Sequence, residues 1–331
     1  TTIDSVLVRW PDGMSQKLTN VSANQRITLK HGDASYLALN EVPKQTMFKD
    51  NFLASGLKFR HTENYNVDFE TTFLLPWSLS DLGPLMATAD VNKDGWTDVY
   101  IGNSFNKPGG LYTQQADGTF KLISREAWDI DSVYEDHGAH FFDADMDGDM
   151  DLLVISGGYE SSNPGAWQAR LYINLEPGKF LHAKGAIPKM EGVALRAASL
   201  DYDADGDIDL FIGGRVLPGK YPLAPASYIL RNDRNKFVDV TKEVAPEFAN
   251  IGMVTDLQFG NIDEDPAPEL IVVGEWMPVN VFKIAAGKLK LNAPDVNGFA
   301  QSNGFWNRLA LADLDSDGDL DMITGNLGLN S

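Results

Sequence analysis

Asp143-Ala144-Asp145-Met146-Asp147-Gly148-Asp149-Met150-Asp151 runs directly into Leu152-Leu153-Val154-Ile155-Ser156. The second half is short, apolar and β-branched, as expected of a buried strand. The first half is a tight acidic loop. Side chains at its positions 1, 3 and 5 can converge on one point. Gly at position 6 permits the sharp turn, the carbonyl at position 7 adds an oxygen, and Asp at position 9 can close the shell.

The same pattern recurs on both sides. One copy holds Asp90, Asn92, Asp94, Trp96 and Asp98. Others hold Asp201, Asp203, Asp205, Asp207 and Asp209, and Asp313, Asp315, Asp317, Asp319 and Asp321. A degenerate copy has Asn261, Asp263, Asp265, Pro266 and Glu269. The copies start 53, 58, 60 and 52 residues apart. A period of about 50–60 residues suits a propeller blade. Leu210-Phe211-Ile212-Gly213 and Leu270-Ile271-Val272-Val273-Gly274 repeat the strand that follows the loop. A third strand follows, as at Arg170-Leu171-Tyr172-Ile173, and then a turn and a fourth, as at Pro177-Gly178-Lys179-Phe180. The fold read from this is all-β: a β-propeller of four-stranded blades with the acidic loops between strands 1 and 2.

Clusters of carboxylates at this spacing suit a hard cation. Ca²⁺ takes six to eight oxygens at roughly 2.3–2.6 Å, whereas Mg²⁺ prefers a smaller octahedral shell with retained waters. An EF-hand needs a bidentate Glu at position 12 and flanking helices. Position 12 here is Ile101, Val154, Ile212 or Thr324, each in a strand run. The alternative, acidic turns without metal, leaves close carboxylates repelling one another. Ca²⁺ is therefore expected in about four loops. The fifth, degenerate loop is expected to bind weakly or not at all, because Asn261 removes a charge and Pro266 cannot take the left-handed turn conformation.

The chain has 331 residues, 27 basic and 47 acidic, for a net charge of −20. That sign argues against nucleic acid as a partner. The five loops hold 22 of the 47 acids and one base, Lys93, so 25 acids and 26 bases remain elsewhere. The charge is concentrated in the loops. There is no Cys, which excludes disulfides and thiol chemistry. No apolar run approaches the roughly 18–20 residues of a membrane span.

Residues 1–35 form a separate β module, with Ser5 to Trp10 and Gln25 to Lys30 alternating about the turn Pro11-Asp12-Gly13. Residues 36–83 are read as linker and partial blade, with Phe48 to Leu57 as an outer strand. Residues 84–331 are propeller repeats, the last blade having only its first two strands. Either the N-terminal strands complete that blade or the ring is open. The abrupt end favours a piece cut from a longer protein.

The loops with their strands resemble FG-GAP (VCBS-type) repeats, the calcium-loop blades of integrin-α-like propellers. Val8-Arg9-Trp10-Pro11-Asp12-Gly13 and Asn24-Gln25-Arg26-Ile27-Thr28 resemble the ASPIC/UnbV module, which accompanies such repeats in cartilage-acidic-protein-like and bacterial surface proteins. Gly274-Glu275-Trp276-Met277-Pro278 and Gly325 to Ser331 look like the large Bacteroidetes members. The resemblance implies an extracytoplasmic, calcium-bound propeller used for binding, at the cell surface, outer membrane-associated or secreted. It implies no particular ligand and no reaction.

In a propeller the 2–3 connections lie on the face opposite the 1–2 loops. They carry Trp167, Arg215 and Tyr221, with Glu275 and Trp276 at the matching place in the fourth unit. Aromatic rings there can stack on sugars, with Arg and Glu bonding hydroxyls. The same residues also suit plugging the channel or packing between blades. Catalysis finds little support. His137 and His140 sit three apart in a strand run and point to opposite sides. There is no serine-nucleophile motif, P-loop or dinucleotide fingerprint. The expected function is a calcium-stabilised recognition or scaffold domain for a protein or glycan. The rivals are a polysaccharide-processing, lyase-type propeller component and a structural spacer within a large surface protein.

Overall fold

A computed structural model describes residues 2–35, 48–83, 85–123, 125–159, 163–263, 265–291 and 298–328. The chain divides into two compact units, Thr1–Asn51 and Phe52–Ser331. Among the described residues no helix is long and apolar enough to cross a membrane.

The first unit is an antiparallel hairpin of β1 (Thr2–Arg9) and β2 (Ser15–Ser22), with Val6 opposite Leu18. Gly13 adopts φ 86° and Asp12 accepts the Met14 N–H at 3.1 Å, closing the turn that Pro11-Asp12-Gly13 announces. The second strand is not the expected Gln25 to Lys30, which forms no strand. A tight turn hands the pairing to whatever follows it immediately, here the polar run Ser15–Ser22. His31 folds back onto the turn, edge-on to Trp10 at 5.1 Å and 2.8 Å from Asp12.

The second unit is a β-propeller of four blades, each a four-stranded antiparallel sheet. Blade one is β3 (Met86–Ala89), β4 (Asp98–Ile101), β5 (Gly110–Gln114) and β6 (Phe120–Leu122). Blade two is β7 (Asp136–Phe142), β8 (Asp151–Ser156), β9 (Arg170–Glu176) and β10 (Lys179–His182). Blade three is β11 (Val193–Leu200), β12 (Asp209–Val216), β13 (Tyr228–Asn232) and β14 (Phe237–Asp239). Blade four is β15 (Met253–Gly260), β16 (Glu269–Met277), β17 (Asn280–Ala285) and β18 (Lys288–Leu291). A further pair, β19 (Gly304–Ala312) and β20 (Asp321–Asn326), joins the far end of β16 through Glu275 opposite Phe305.

The first strands β3, β7, β11, β15 and β19 pack one against the next around the centre. Strands two and three then bury both faces between blades, which is why they read as continuous apolar runs. Leu152, Val154 and Tyr172 of blade two pack on Tyr100 and Leu111 of blade one, all but fully buried. Phe211 and Phe248 meet Leu270 and Phe282 across the next-but-one boundary. The interfaces also carry polar groups. Arg170 is buried against Asp136, whose other oxygen accepts the Tyr100 hydroxyl at 2.9 Å, and the Arg170 Nη1 donates to the Tyr172 hydroxyl at 2.9 Å.

The expected strand at Phe48 to Leu57 is instead a single helical turn, Phe52–Ser55. The chain then passes Gly56 so close to β6 that a Cβ there would lie 2.6 Å from the Phe120 carbonyl oxygen. Residues 68–82 cover one face of the propeller. Leu75 and Leu79 pack with Tyr159, Trp167, Val216, Tyr221 and Met253, and Trp77 meets the Phe305 ring at 5.5 Å. One carboxylate shapes this plug. Buried Asp68 accepts the backbone N–H of Leu79 at 2.6 Å and of Ser80 at 2.9 Å, and the Ser78 hydroxyl at 3.1 Å. Burial opposes its charge, but those donors outweigh it and hold the carboxyl below its ordinary value.

Asp68→Ala strands two buried backbone donors, a cost of about 2–4 kcal/mol. Urea unfolding should show that loss; a variant within about 0.5 kcal/mol of the wild type would show that the plug does not depend on this residue.

Candidate metal centres

Four loops share one backbone geometry. Gly95, Gly148, Gly206 and Gly318 at position 6 take φ of 86°, 85°, 102° and 104°. Position 4 is left-handed too, at Lys93, Met146, Ala204 and Ser316, without a glycine. The acid at position 1 accepts the glycine N–H in each: Asp90 at 2.8 Å, Asp143 at 3.0 Å, Asp201 at 3.1 Å and Asp313 at 3.3 Å. The acid at position 5 accepts the N–H of position 7, as Asp94 does from Trp96 at 2.8 Å and Asp147 from Asp149 at 3.0 Å.

Position 9 has a second role that spacing did not reveal. Asp98 accepts the N–H of Val91 at 3.0 Å with one oxygen and of Gln114 at 2.8 Å with the other. Asp151 does the same with Ala144 and Asn174, both at 2.8 Å, and Asp209 with Tyr202 at 3.3 Å and Asn232 at 2.8 Å. The closing acid thus ties its own loop to the end of strand three.

The structure gathers the carboxylates. Asp143, Asp145 and Asp151, then Asp201, Asp203 and Asp209, then Asp313, Asp315 and Asp321 each bring ligand oxygens within 4.8 Å of one another. Two oxygens on opposite sides of a Ca²⁺ lie about 5 Å apart, given metal–oxygen distances of roughly 2.3–2.6 Å. Loop one has Asn92 at position 3 and so offers carboxylates only at Asp90, Asp94 and Asp98. Buried oxygens without partners mark where a cation fits: Oδ1 of Asp143, Asp145 and Asp149, and Oδ1 of Asp201 and Asp203. Burial, with neighbouring aspartates adding to it, pushes Asp149 up to about 6 and Asp151 to about 7. Burial does the same to Asp209, up to about 7, and raises Asp98. Several of these acidic clusters could hold a metal ion.

Residues 90–154 match the FG-GAP-like repeat family, and residues 1–36 match the ASPIC and UnbV family. The chain carries an FG-GAP-like repeat and an ASPIC/UnbV module. No curated protein matches it. The acidic loop and buried strand of the first FG-GAP-like blade lie wholly within the matched span, which also takes in the second loop and most of β8.

The degenerate loop, Asn261 to Glu269, differs from the other four in its bonding. Pro266 has no N–H for position 1 to accept, and Asn261 instead donates its amide to the Asp265 carbonyl at 2.7 Å. Asp263, Asp265 and Glu269 still gather within 4.8 Å. Lys283, on β17, pairs with all three. Its hydrogen bond, with the Ala267 N–H, holds the Asp265 carboxyl below the usual range.

On the opposite face, Arg215 and Glu275 form a buried ion pair. Tyr221 donates to Glu275 at 3.3 Å and accepts from the Trp276 Nε1 at 2.8 Å. Four of the five residues singled out there are therefore in contact. Trp167 and Tyr221 pack into the plug, and only Trp276 is exposed, at 58%. Trp167 also borders a cleft of about 500 Å³ lined by Glu191, Leu217, Pro218 and Lys220. His137 and His140 take separate partners, Glu135 at 2.7 Å and Ser199 at 2.9 Å.

Asp151 and Asp209 keep a proton in the metal-free folded chain that the unfolded chain releases near pH 4. In chelator, their contribution to stability is therefore fully present below about pH 4 and lost as pH rises towards 7. Asp151→Asn with Asp209→Asn should flatten the stability–pH profile across that window, read as slope by urea unfolding. An unchanged slope would place the titration elsewhere.

Proposed function

We propose that this chain is a calcium-stabilised recognition or scaffold domain working outside the cell, where it binds a protein or glycan. The observation that carries this reading is the set of converging, partnerless carboxylate oxygens in the second and third loops. Asp90, Asn92, Asp94 and Asp98, Asp143, Asp145 and Asp147, Asp201, Asp203 and Asp205, and Asp313, Asp315 and Asp317 would hold the ions, with the carbonyls of Trp96, Asp149, Asp207 and Asp319 and the remaining closing acids completing the shells. Bound calcium supplies the positive charge that offsets these carboxylates.

The residues around each loop turn that into rigidity. The closing acids already fix the loop against strand three. Asn174 donates to the Val91 carbonyl at 2.8 Å, and Asn232 to the Ala144 carbonyl at 2.8 Å, so the first and second loops are also held by the blade that follows. Extracellular modules bind Ca²⁺ at roughly 10⁻⁴–10⁻³ M, which suits the outside of a cell. The FG-GAP-like and ASPIC/UnbV matches support a surface or extracellular setting.

The recognition face of this proposal is the one opposite the acidic loops. Trp276 stands there with φ 61°, a conformation a bulky residue adopts only when its surroundings hold it. Its ring contacts Phe305 at 4.2 Å while leaving surface exposed beside the Tyr221 hydroxyl. An aromatic plate next to a hydroxyl group suits a sugar or a polar protein loop. The buried Arg215–Glu275 pair beneath supports the plate rather than touching the ligand.

At 10 mM Ca²⁺ and a Kd of 10⁻⁴ M each occupied loop adds about 2.7 kcal/mol. Melting should therefore move upward by several degrees in Ca²⁺ relative to chelator, and less in Asp143→Asn/Asp145→Asn. Equal melting with and without bound ions would reject a structural role for the metal. For the recognition face, a glycan and extracellular-protein array should register binding that falls at least tenfold in Trp276→Ala; equal binding by both proteins would move recognition away from this face.

A further inference from the structure

The acidic clusters differ in one respect that metal spacing does not explain. In the second and third loops, carboxylate oxygens lack partners. Among the described residues of the Asn261 to Glu269 loop every carboxylate oxygen is engaged. Asp263 accepts the Asp265 N–H at 3.0 Å, Asp265 the Ala267 N–H at 3.0 Å, and Glu269 the Ile262 N–H at 3.1 Å. The second oxygen of each faces the Lys283 ammonium: Asp263 by a short hydrogen bond, Asp265 at 2.9 Å and Glu269 at 3.8 Å. A compact charge with three donors meets three carboxylates.

Strand register shows that this cation is particular to blade four. Phe282 lies opposite Leu270, as Tyr112 lies opposite Val99, Tyr172 opposite Leu152 and Leu230 opposite Leu210. The residue after each is the counterpart of Lys283: Thr113, Ile173 and Arg231. Thr113 and Ile173 carry no charge. Arg231 turns its guanidinium to Asp233, at 2.8 and 3.2 Å, instead of filling the loop.

We infer that Lys283 is the resident cation of the fourth loop: its ammonium occupies the centre of the Asp263–Asp265–Glu269 cluster, excludes a divalent ion, and makes that blade's 1–2 connection independent of calcium. The inference rests on the calcium reading of the other loops only for the contrast between blades. Pro266 and Lys283 belong together on this account. The proline removes the N–H that shapes a metal loop, and the lysine supplies the charge that the loop then needs. Blade four stays locked whatever the calcium concentration, while its neighbours respond to it. Replacing Lys283 by the threonine of blade one should open the cluster to Ca²⁺.

The test is Ca²⁺ stoichiometry by equilibrium dialysis up to 10 mM, with the wild type, Asp263→Asn, Lys283→Thr and Lys283→Thr/Asp263→Asn. The expected result is that Asp263→Asn leaves the wild-type number unchanged. Lys283→Thr should bind one ion more than the wild type, and the double variant should lose it. A wild-type stoichiometry that drops by one in Asp263→Asn overturns the inference, as does a Lys283→Thr protein that gains no ion. If Lys283→Thr does not fold, the Asp263→Asn comparison decides alone. A wild type that binds no Ca²⁺ anywhere sinks the calcium reading of the other loops, while the gain or absence of an ion in Lys283→Thr still decides the role of the lysine.

Discussion

Each blade depends on one carboxylate, the acid that closes its loop. Asp98, Asp151 and Asp209 are fully buried at the base of strand two. Both oxygens are committed, one to the second residue of the loop and one to the end of strand three. Burying a charge in this position is costly without compensation. The upward displacement of Asp151 and Asp209 to about 7 expresses that cost. The loop then gathers further carboxylates around the same point, so the hairpin that builds the blade also creates a demand for positive charge. The net charge of −20 is mainly that demand, repeated along the chain.

The demand is shared between blades. The backbone of the residue at position 2 is gripped from both sides. The Val91 N–H goes to Asp98 and its carbonyl to Asn174; the Ala144 N–H goes to Asp151 and its carbonyl to Asn232. A loop that loosens releases a bond made by the following blade. Apolar interfaces carry most of the burial, but these amides set the register in which neighbouring blades meet. In blade four the equivalent residue is Ile284, two beyond Phe282, and the tie is missing there. The same blade supplies its own cation through Lys283.

What the sequence made legible was local. The acidic loops, their glycines and the β-branched runs after them are encoded within about 15 consecutive residues, and the observed strands fall where those runs lie. The hydrophobic pattern misled where an alternating run had no partner in reach, as at Gln25 to Lys30, and at Phe48 to Leu57, where Phe52–Ser55 makes one helical turn that leaves Phe52 and Leu53 exposed. The pairings that went unseen act over distance. Asn174 reaches a carbonyl 83 positions away, Lys283 a carboxylate 20 positions away, and Arg215 a glutamate 60 positions away. Asn at the end of strand three recurs in blades two and three, a faint signal once the repeats are aligned.

On the proposed reading, calcium is the partner of four loops and lysine the partner of one. Crystals grown in Ca²⁺ and measured for anomalous scattering test this most directly. The predicted map has a peak between the carboxylates of the loops beginning at Asp90, Asp143, Asp201 and Asp313, and none beside Asp263, where the Lys283 ammonium stands. Empty density in the first four loops at millimolar Ca²⁺, or a metal peak displacing Lys283 from the fifth, would contradict it.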